Sequence, residues 1–209
     1  MIKYDITCEF LGQKIFKTRL SDELVNSINE RMDLEIKNKQ TVSAIPILSG
    51  KIKGEYRTPW VLDIDKDNEI VDIVKNCLDN SNKDEVFNKV TFHGDNIWIN
   101  DQLENEYQTV HKHSGHSITG VSTILYLRVP DLGPEFTHTD KPTNGRTTFI
   151  GNVGGQFVVD TVTIDPVVGD FYVFPYDMKH VVYPFRGNGV RRSLSANFDV
   201  FFEKTNRPW

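Results

Sequence analysis

From Val86 to Phe202 the chain is a succession of short strand-like runs separated by turn signals, and this pattern constrains its fold most. The runs cover residues 86–92, 96–100, 107–113, 118–129, 146–152, 156–164, 170–174, 180–184 and 191–202. Asn144-Gly145, Gly154-Gly155 and Gly187-Asn188-Gly189 supply residues that accept the backbone angles of tight turns. His93-Gly94-Asp95-Asn96 is expected to turn between the first two runs. Many short strands at this spacing predict a β-sandwich or jelly roll.

The N-terminal part has a different texture. Residues 2–10 and 14–20 alternate apolar with polar around Gly12-Gln13, which predicts a hairpin. Ser21 is placed to cap a helix, with Asp22 and Glu23 in the first turn, where the helix dipole favours negative charge. Val25, Ile28 and Met32 give that helix an apolar stripe, widened by Leu24. Residues 40–54 read as loop and short strand. A second helix is expected from Asp67 or Asn68, with Ile70, Ile73, Val74 and Cys77 at helical spacing and the polar run 79–82 at its end. Both helices are expected to cover one face of a sheet. The expectation is a single domain over 1–209, with an α+β portion about 1–90 packed on a β core about 91–203.

The charge balance excludes some partners. With 24 basic and 29 acidic residues the chain carries −5, so no broad basic surface argues for nucleic acid. The two cysteines, Cys8 and Cys77, form no paired motif and are expected as reduced thiols. No segment approaches the roughly 20 apolar residues of a membrane span, and the first ten residues hold no apolar signal core. A soluble, cytoplasmic protein is the expectation.

Chemistry is concentrated in histidines. Val110-His111-Lys112-His113 places two imidazoles one residue apart. On a strand such positions share a face, about 7 Å apart at the backbone, so both can converge on one ion. Neutral imidazole suits iron, zinc, copper or nickel. His180, far downstream, would close such a site across two strands. Two further triplets, His93/Asp95 and His138/Asp140, put a carboxylate two residues after a histidine. By bare spacing these fit the two-histidine, one-carboxylate set of non-haem iron better than the double histidine does. Both stand among turn residues, which accounts for them without a metal.

A candidate anion clamp follows His180. Arg191, Ser193, Ser195 and Asn197 alternate with Arg192, Leu194, Ala196 and Phe198, so the two sets face opposite sides of one strand. An inward arginine with a serine two residues on suits a carboxylate, through a guanidinium fork and a further hydroxyl donor. Arg192 is expected at the surface.

In order, Trp98-Ile99-Asn100, His111-Lys112-His113-Ser114-Gly115, Ile118-Thr119-Gly120-Val121 and Tyr126-Leu127-Arg128-Val129-Pro130 resemble a family of 2-oxoglutarate/iron(II) oxygenases of phages and bacteria. That family runs roughly H-x-H-P-G, L-S-G-V, Y-Y-x-x-V-P and is related to the prolyl hydroxylases. Phe174-Pro175, His180, Val182-Tyr183-Pro184 and Arg191 to Asn197 are similar to its C-terminal pattern. The resemblance covers about residues 96–200. It implies a double-stranded β-helix, which is a jelly-roll core, inside a mainly β chain with N-terminal helices.

Carried over, the resemblance makes His111 the first iron ligand and His180 the distal one. Arg191, with Ser193 beside it, would hold the far carboxylate of 2-oxoglutarate, and Tyr126 would contact the same group. His113 stands where the superfamily has Asp or Glu, and Ser114 where the pattern has Pro. Three completions stay open: three histidines, two histidines with water, or His111 and His180 with a carboxylate such as Asp140. The first is favoured, giving His111, His113 and His180 as metal ligands.

The activity implied is that of a 2-oxoglutarate- and Fe(II)-dependent dioxygenase. It would hydroxylate a C–H bond of a protein, peptide or small molecule and release succinate and CO2. Fe(II) would be the cofactor, with 2-oxoglutarate, O2 and an unidentified primary substrate as partners; a homodimer is compatible with the sequence. Two other classes compete. One is a cupin-like metalloprotein that uses no 2-oxoglutarate, although Ser117 and Ile118 stand where a cupin's glutamate is expected. The other is a non-catalytic jelly-roll module of a virion or assembly.

Overall fold

A computed structural model of the chain describes residues 7–10, 12–38, 42–43, 52, 54–57, 68–81, 87–135, 142–152, 154–155 and 158–204. In chain order the strands are β1 Thr7–Phe10, β2 Lys14–Arg19, β3 Val42–Ser43, β4 Gly54–Arg57, β5 Phe87–Gln102 and β6 Gln108–His111. They continue with β7 Gly120–Arg128, β8 Thr147–Ile150, β9 Thr161–Ile164, β10 Asp170–Pro175, β11 Lys179–Val182 and β12 Arg191–Lys204. The helices are α1 Asp22–Lys37 and α2 Asn68–Ser81. All strand pairings are antiparallel. Among the described residues they make an eight-stranded sheet, β1-β2-β10-β7-β12-β5-β4-β3, and a four-stranded sheet, β6-β11-β8-β9.

Each face of the large sheet has its own cover, and the sequence alternation dictates which. One face meets the helices. Ser21 caps α1 by accepting the Leu24 N–H at 3.3 Å, and Asp22 and Glu23 occupy the first turn. Val25, Ile28 and Met32 of α1, with Ile70, Ile73, Val74 and Cys77 of α2, are buried against Ile99, Leu125, Leu194, Ala196 and Phe198. Each fully buried aliphatic side chain there contributes about 1.5–3 kcal/mol of gross stabilisation. The opposite face meets the small sheet: Ile124, Tyr126, Tyr172 and Phe174 cluster with Phe149 and Met178. The result is the two-sheet jelly-roll core, with both helices on the outside.

Three local expectations are corrected. The 93–96 segment is not a turn, because β5 runs straight through it. Asn197 pairs with Asn96 but Phe198 with Gly94, so Asp95 is the extra residue of a β-bulge. Gly94 and Asp95 supply the same local freedom in a bulge as in a turn, which is why the sequence misleads. Second, β6 ends at His111, and His113 lies beyond the strand.

Third, Arg192 is only 4% exposed rather than at the surface. Its Nε and Nη2 donate to Asp101 at 2.6 and 2.7 Å, and its Nη1 to Asp33 of α1 at 2.7 Å. These carboxylates hold the Arg192 pKa above its ordinary value, against the opposing effect of burial. The two adjacent arginines thus leave β12 on opposite faces, one toward the helix side and one between the sheets. Among the described residues, no helix is long and apolar enough to cross a membrane.

Candidate active site

Sheet pairing creates the histidine cluster. β6 and β11 are neighbours, and His111 is the register partner of His180, so their side chains leave the same face side by side. His113 joins them from beyond the strand end, where its backbone N–H donates to the Tyr176 carbonyl at 2.9 Å. The next segment is pressed onto the large sheet. A Cβ on Gly115 would collide with Asp199 Oδ1 and the Tyr176 hydroxyl, and one on Gly120 with the Tyr176 ring. At Gly120 the Phe198 carbonyl oxygen, 2.6 Å from such a Cβ, makes glycine necessary, whereas at Gly115 the Asp199 and Tyr176 side chains would have to shift.

The ligand atoms of His111, His113 and His180 all lie within 4.8 Å of one another. His113 Nε2 is 3.2 Å from His180 Nε2. Carbonyl oxygens only accept, so His111 Nδ1–H donates to Thr109 O at 2.7 Å and His180 Nδ1–H to Met178 O at 3.3 Å. This fixes both tautomers and leaves their Nε2 lone pairs free for a metal. Burial holds the His111 pKa below the ordinary value. Burial, then repulsion from His111, brings His113 to about 3. Burial and the same neighbours push His180 well down. All three imidazoles are therefore neutral at pH 7, as ligation requires.

This donor set fits a divalent transition metal. Bonds of about 2.1 Å place neighbouring ligands on one ion about 3 Å apart, which matches the His113–His180 separation. Among the described residues no carboxylate joins the cluster. Asp140 and His138 lie outside the described residues. His93 is exposed and packs edge-on against Phe201, so the His93/Asp95 pair is not part of the cluster.

A cavity of about 260 Å³ opens beside the histidines, between the two sheets. That lies just under the usual range for small-molecule sites, a size suited to a small co-substrate. His111, His113 and His180 line one side; Arg191, Ser193, Ser195 and Asn197 line it from β12. Arg191 is 2% exposed. Its Nη1 donates to Gln102 Oε1 at 2.9 Å and its Nη2 to Thr147 Oγ1 at 3.2 Å, both neutral groups. Its Nε has no partner, and among the described residues no carboxylate pairs with it. Burial pushes its pKa down from the ordinary value, with Tyr126 opposing. A guanidinium stays charged in a protein, and an uncompensated buried charge costs several kcal/mol. An anion in the cavity would compensate the charge of Arg191.

Tyr126 is fully buried beneath this group. The Arg191 guanidinium lies 4.9 Å above its ring, and its hydroxyl is 2.9 Å from Thr147 Oγ1. It is not among the residues lining the cavity, and besides Arg191 and Thr147 it packs edge-on against Tyr172. Gln102 and Thr147, which hold the guanidinium, carry no sequence signal. They meet Arg191 only through strand register and across the sheets. Trp98 also lines the cavity, with its ring centroid 5.5 Å from that of His113.

Residues 96–197 match the model of the family described as "Putative 2OG-Fe(II) oxygenase". No curated protein sequence matches the chain. Among solved structures, a Pseudomonas putida prolyl-4-hydroxylase superposes with a TM-score of 0.54 at 14% identity, covering 93% of this chain and 94% of its own. The viral collagen prolyl hydroxylase of Paramecium Bursaria Chlorella virus-1, in complex with 2-oxoglutarate, gives 0.55 at 15% identity, covering 89% and 94%. The α-ketoglutarate-dependent epimerase SnoN of nogalamycin biosynthesis gives 0.59 at 13% identity, covering 93% and 80%. At these identities the likeness is one of fold.

Proposed function

We propose that this chain, whose residues 96–197 match the model of the 2OG-Fe(II) oxygenase family, is a dioxygenase that hydroxylates a C–H bond of a peptide or small-molecule substrate. His111, His113 and His180 hold Fe(II) through their Nε2 atoms. Arg191 and Ser193 bind the far carboxylate of 2-oxoglutarate, and Tyr126 holds Arg191 and Thr147 in place. With O2 as the oxidant, bound Fe(II) and 2-oxoglutarate would supply the oxidising chemistry: one oxygen atom ends in the hydroxylated product and the other in succinate, and CO2 leaves.

The protein's own part is positioning. Neutral imidazoles present lone pairs without first losing protons. The buried guanidinium supplies the opposite charge for the distal carboxylate, so the co-substrate enters in one orientation. Arg191 lies deep between the sheets, where the low local dielectric strengthens its attraction for a carboxylate.

One observation carries this reading: a neutral histidine triad and a buried arginine that has no carboxylate partner among the described residues share one small cavity. Anaerobic titration tests it. Fe(II) and 2-oxoglutarate added together should give a visible charge-transfer band that neither gives alone, and Arg191→Leu should abolish it at equal iron loading. Metal binding without any response to 2-oxoglutarate would point instead to a cupin-like metalloprotein.

A further inference from the structure

Asn100 lines the same cavity and is 5% exposed, yet its side-chain oxygen has no hydrogen-bond partner. An acceptor buried without a donor costs about 1–3 kcal/mol, so no partner holds this amide in the orientation that buries its oxygen. Asn100 is the β5 register partner of Ser193, and Ser193 is in turn the partner of Tyr126 on β7. The three residues form one row across three adjacent strands. Gln102 and Arg191 form the next row on one side; Trp98 and Ser195 form the next on the other. Trp98 marks the metal end, since its ring approaches His113. Two residues of strand separate the Trp98 row from the Asn100 row, about 7 Å at the usual rise. A five-carbon dicarboxylate spans a similar distance between its ends.

We propose that Asn100 is a third anchor for the distal carboxylate of the co-substrate, donating from its side-chain amide beside Ser193 and Arg191. An amide presents either its oxygen or its NH2 by a half-turn, so the orphaned position becomes a donor when a carboxylate arrives. Two unsatisfied groups, Arg191 Nε and the Asn100 amide, then find the same partner. This assignment rests on the co-substrate reading above.

The test uses the full chain loaded with Mn(II), a redox-inert probe metal, and follows 2-oxoglutarate binding by calorimetry and by thermal shift. Asn100→Leu should raise the Kd for 2-oxoglutarate roughly 10- to 100-fold, the loss of one charge-assisted hydrogen bond. It should leave Mn(II) affinity unchanged and keep the ligand-free Tm, because it removes an orphan rather than a bond. Asn100→Asp should abolish 2-oxoglutarate binding by placing a carboxylate beside Arg191, while retaining Mn(II). Normal wild-type binding with unchanged affinity in both variants would overturn the assignment of Asn100 alone. A wild-type protein that binds Mn(II) but not 2-oxoglutarate would overturn the co-substrate reading, and this assignment with it.

Discussion

His113 and His180 bring their Nε2 atoms to 3.2 Å although 67 residues separate them in the chain. Two buried nitrogens at this distance share at most one proton or one metal ion.

The cluster makes the metal-free protein acid-labile. Burial lowers the pKa of all three histidines, that of His113 to about 3. Above about pH 6.5 both folded and unfolded states are neutral at these sites, and the shift contributes nothing. Below it the unfolded chain takes up protons first. Stability is then lost as pH falls toward 3, by roughly 1.4 kcal/mol per pH unit for His113. The Tm of metal-free protein should drop between pH 6.5 and 4.5, and His113→Phe should flatten that drop. A Tm independent of pH over this range would contradict it.

The two neighbouring arginines should respond in opposite ways. Arg192 is buried and pairs with the mostly buried Asp101 and the half-exposed Asp33, so Arg192→Met leaves the Asp101 carboxylate unpaired and should cost roughly 3 kcal/mol of stability, read by urea unfolding. Where the variant stays folded, its 2-oxoglutarate affinity should hold. Arg191 has no carboxylate partner among the described residues, so Arg191→Met should keep or raise stability and abolish 2-oxoglutarate binding. The same outcome for both variants would show that they do not play separate roles.

The alternation of β12 was legible in the sequence, and the structure follows it from Arg191 to Phe198. The meeting of His111 and His180 was legible through the family resemblance, and the β6–β11 register produces it; the strand period expected to bring His113 beside His111 does not act, because β6 ends at His111. What lay beyond reading was set by partners distant in sequence. Arg192 looked like a surface residue because only the fold brings Asp33 of α1 beside Asp101. The bulge at Asp95 looked like a turn because both use the same residue types. Gln102 and Thr147 gave no signal, since ordinary polar residues acquire a role here only through register.

Gly115 should prove necessary for metal binding rather than for folding. A methyl group there meets Asp199 and Tyr176, and Tyr176 holds the His113 backbone through its carbonyl. Gly115→Ala should displace His113 and weaken Mn(II) binding about tenfold, the lower end of the loss seen when a ligand's support is removed. Unchanged Mn(II) affinity would show that the contact does not position the histidine.

Three neutral ligands leave the metal one unit more positive than a set containing a carboxylate. His113→Asp should therefore weaken 2-oxoglutarate binding, by about tenfold for one added negative charge near the ligand at an effective dielectric of a protein site. Calorimetry on the Mn(II) form reads this directly. Equal affinity in the two proteins would remove charge as the reason for a third histidine.

If Fe(II) at His111, His113 and His180 works with 2-oxoglutarate held by Arg191, purified protein with Fe(II) and O2 should form succinate from 2-oxoglutarate even without the primary substrate. Slow succinate release is expected that requires iron and disappears in both His180→Ala and Arg191→Leu. No succinate from an iron-loaded, folded protein, or equal succinate from the Arg191→Leu variant, would contradict it.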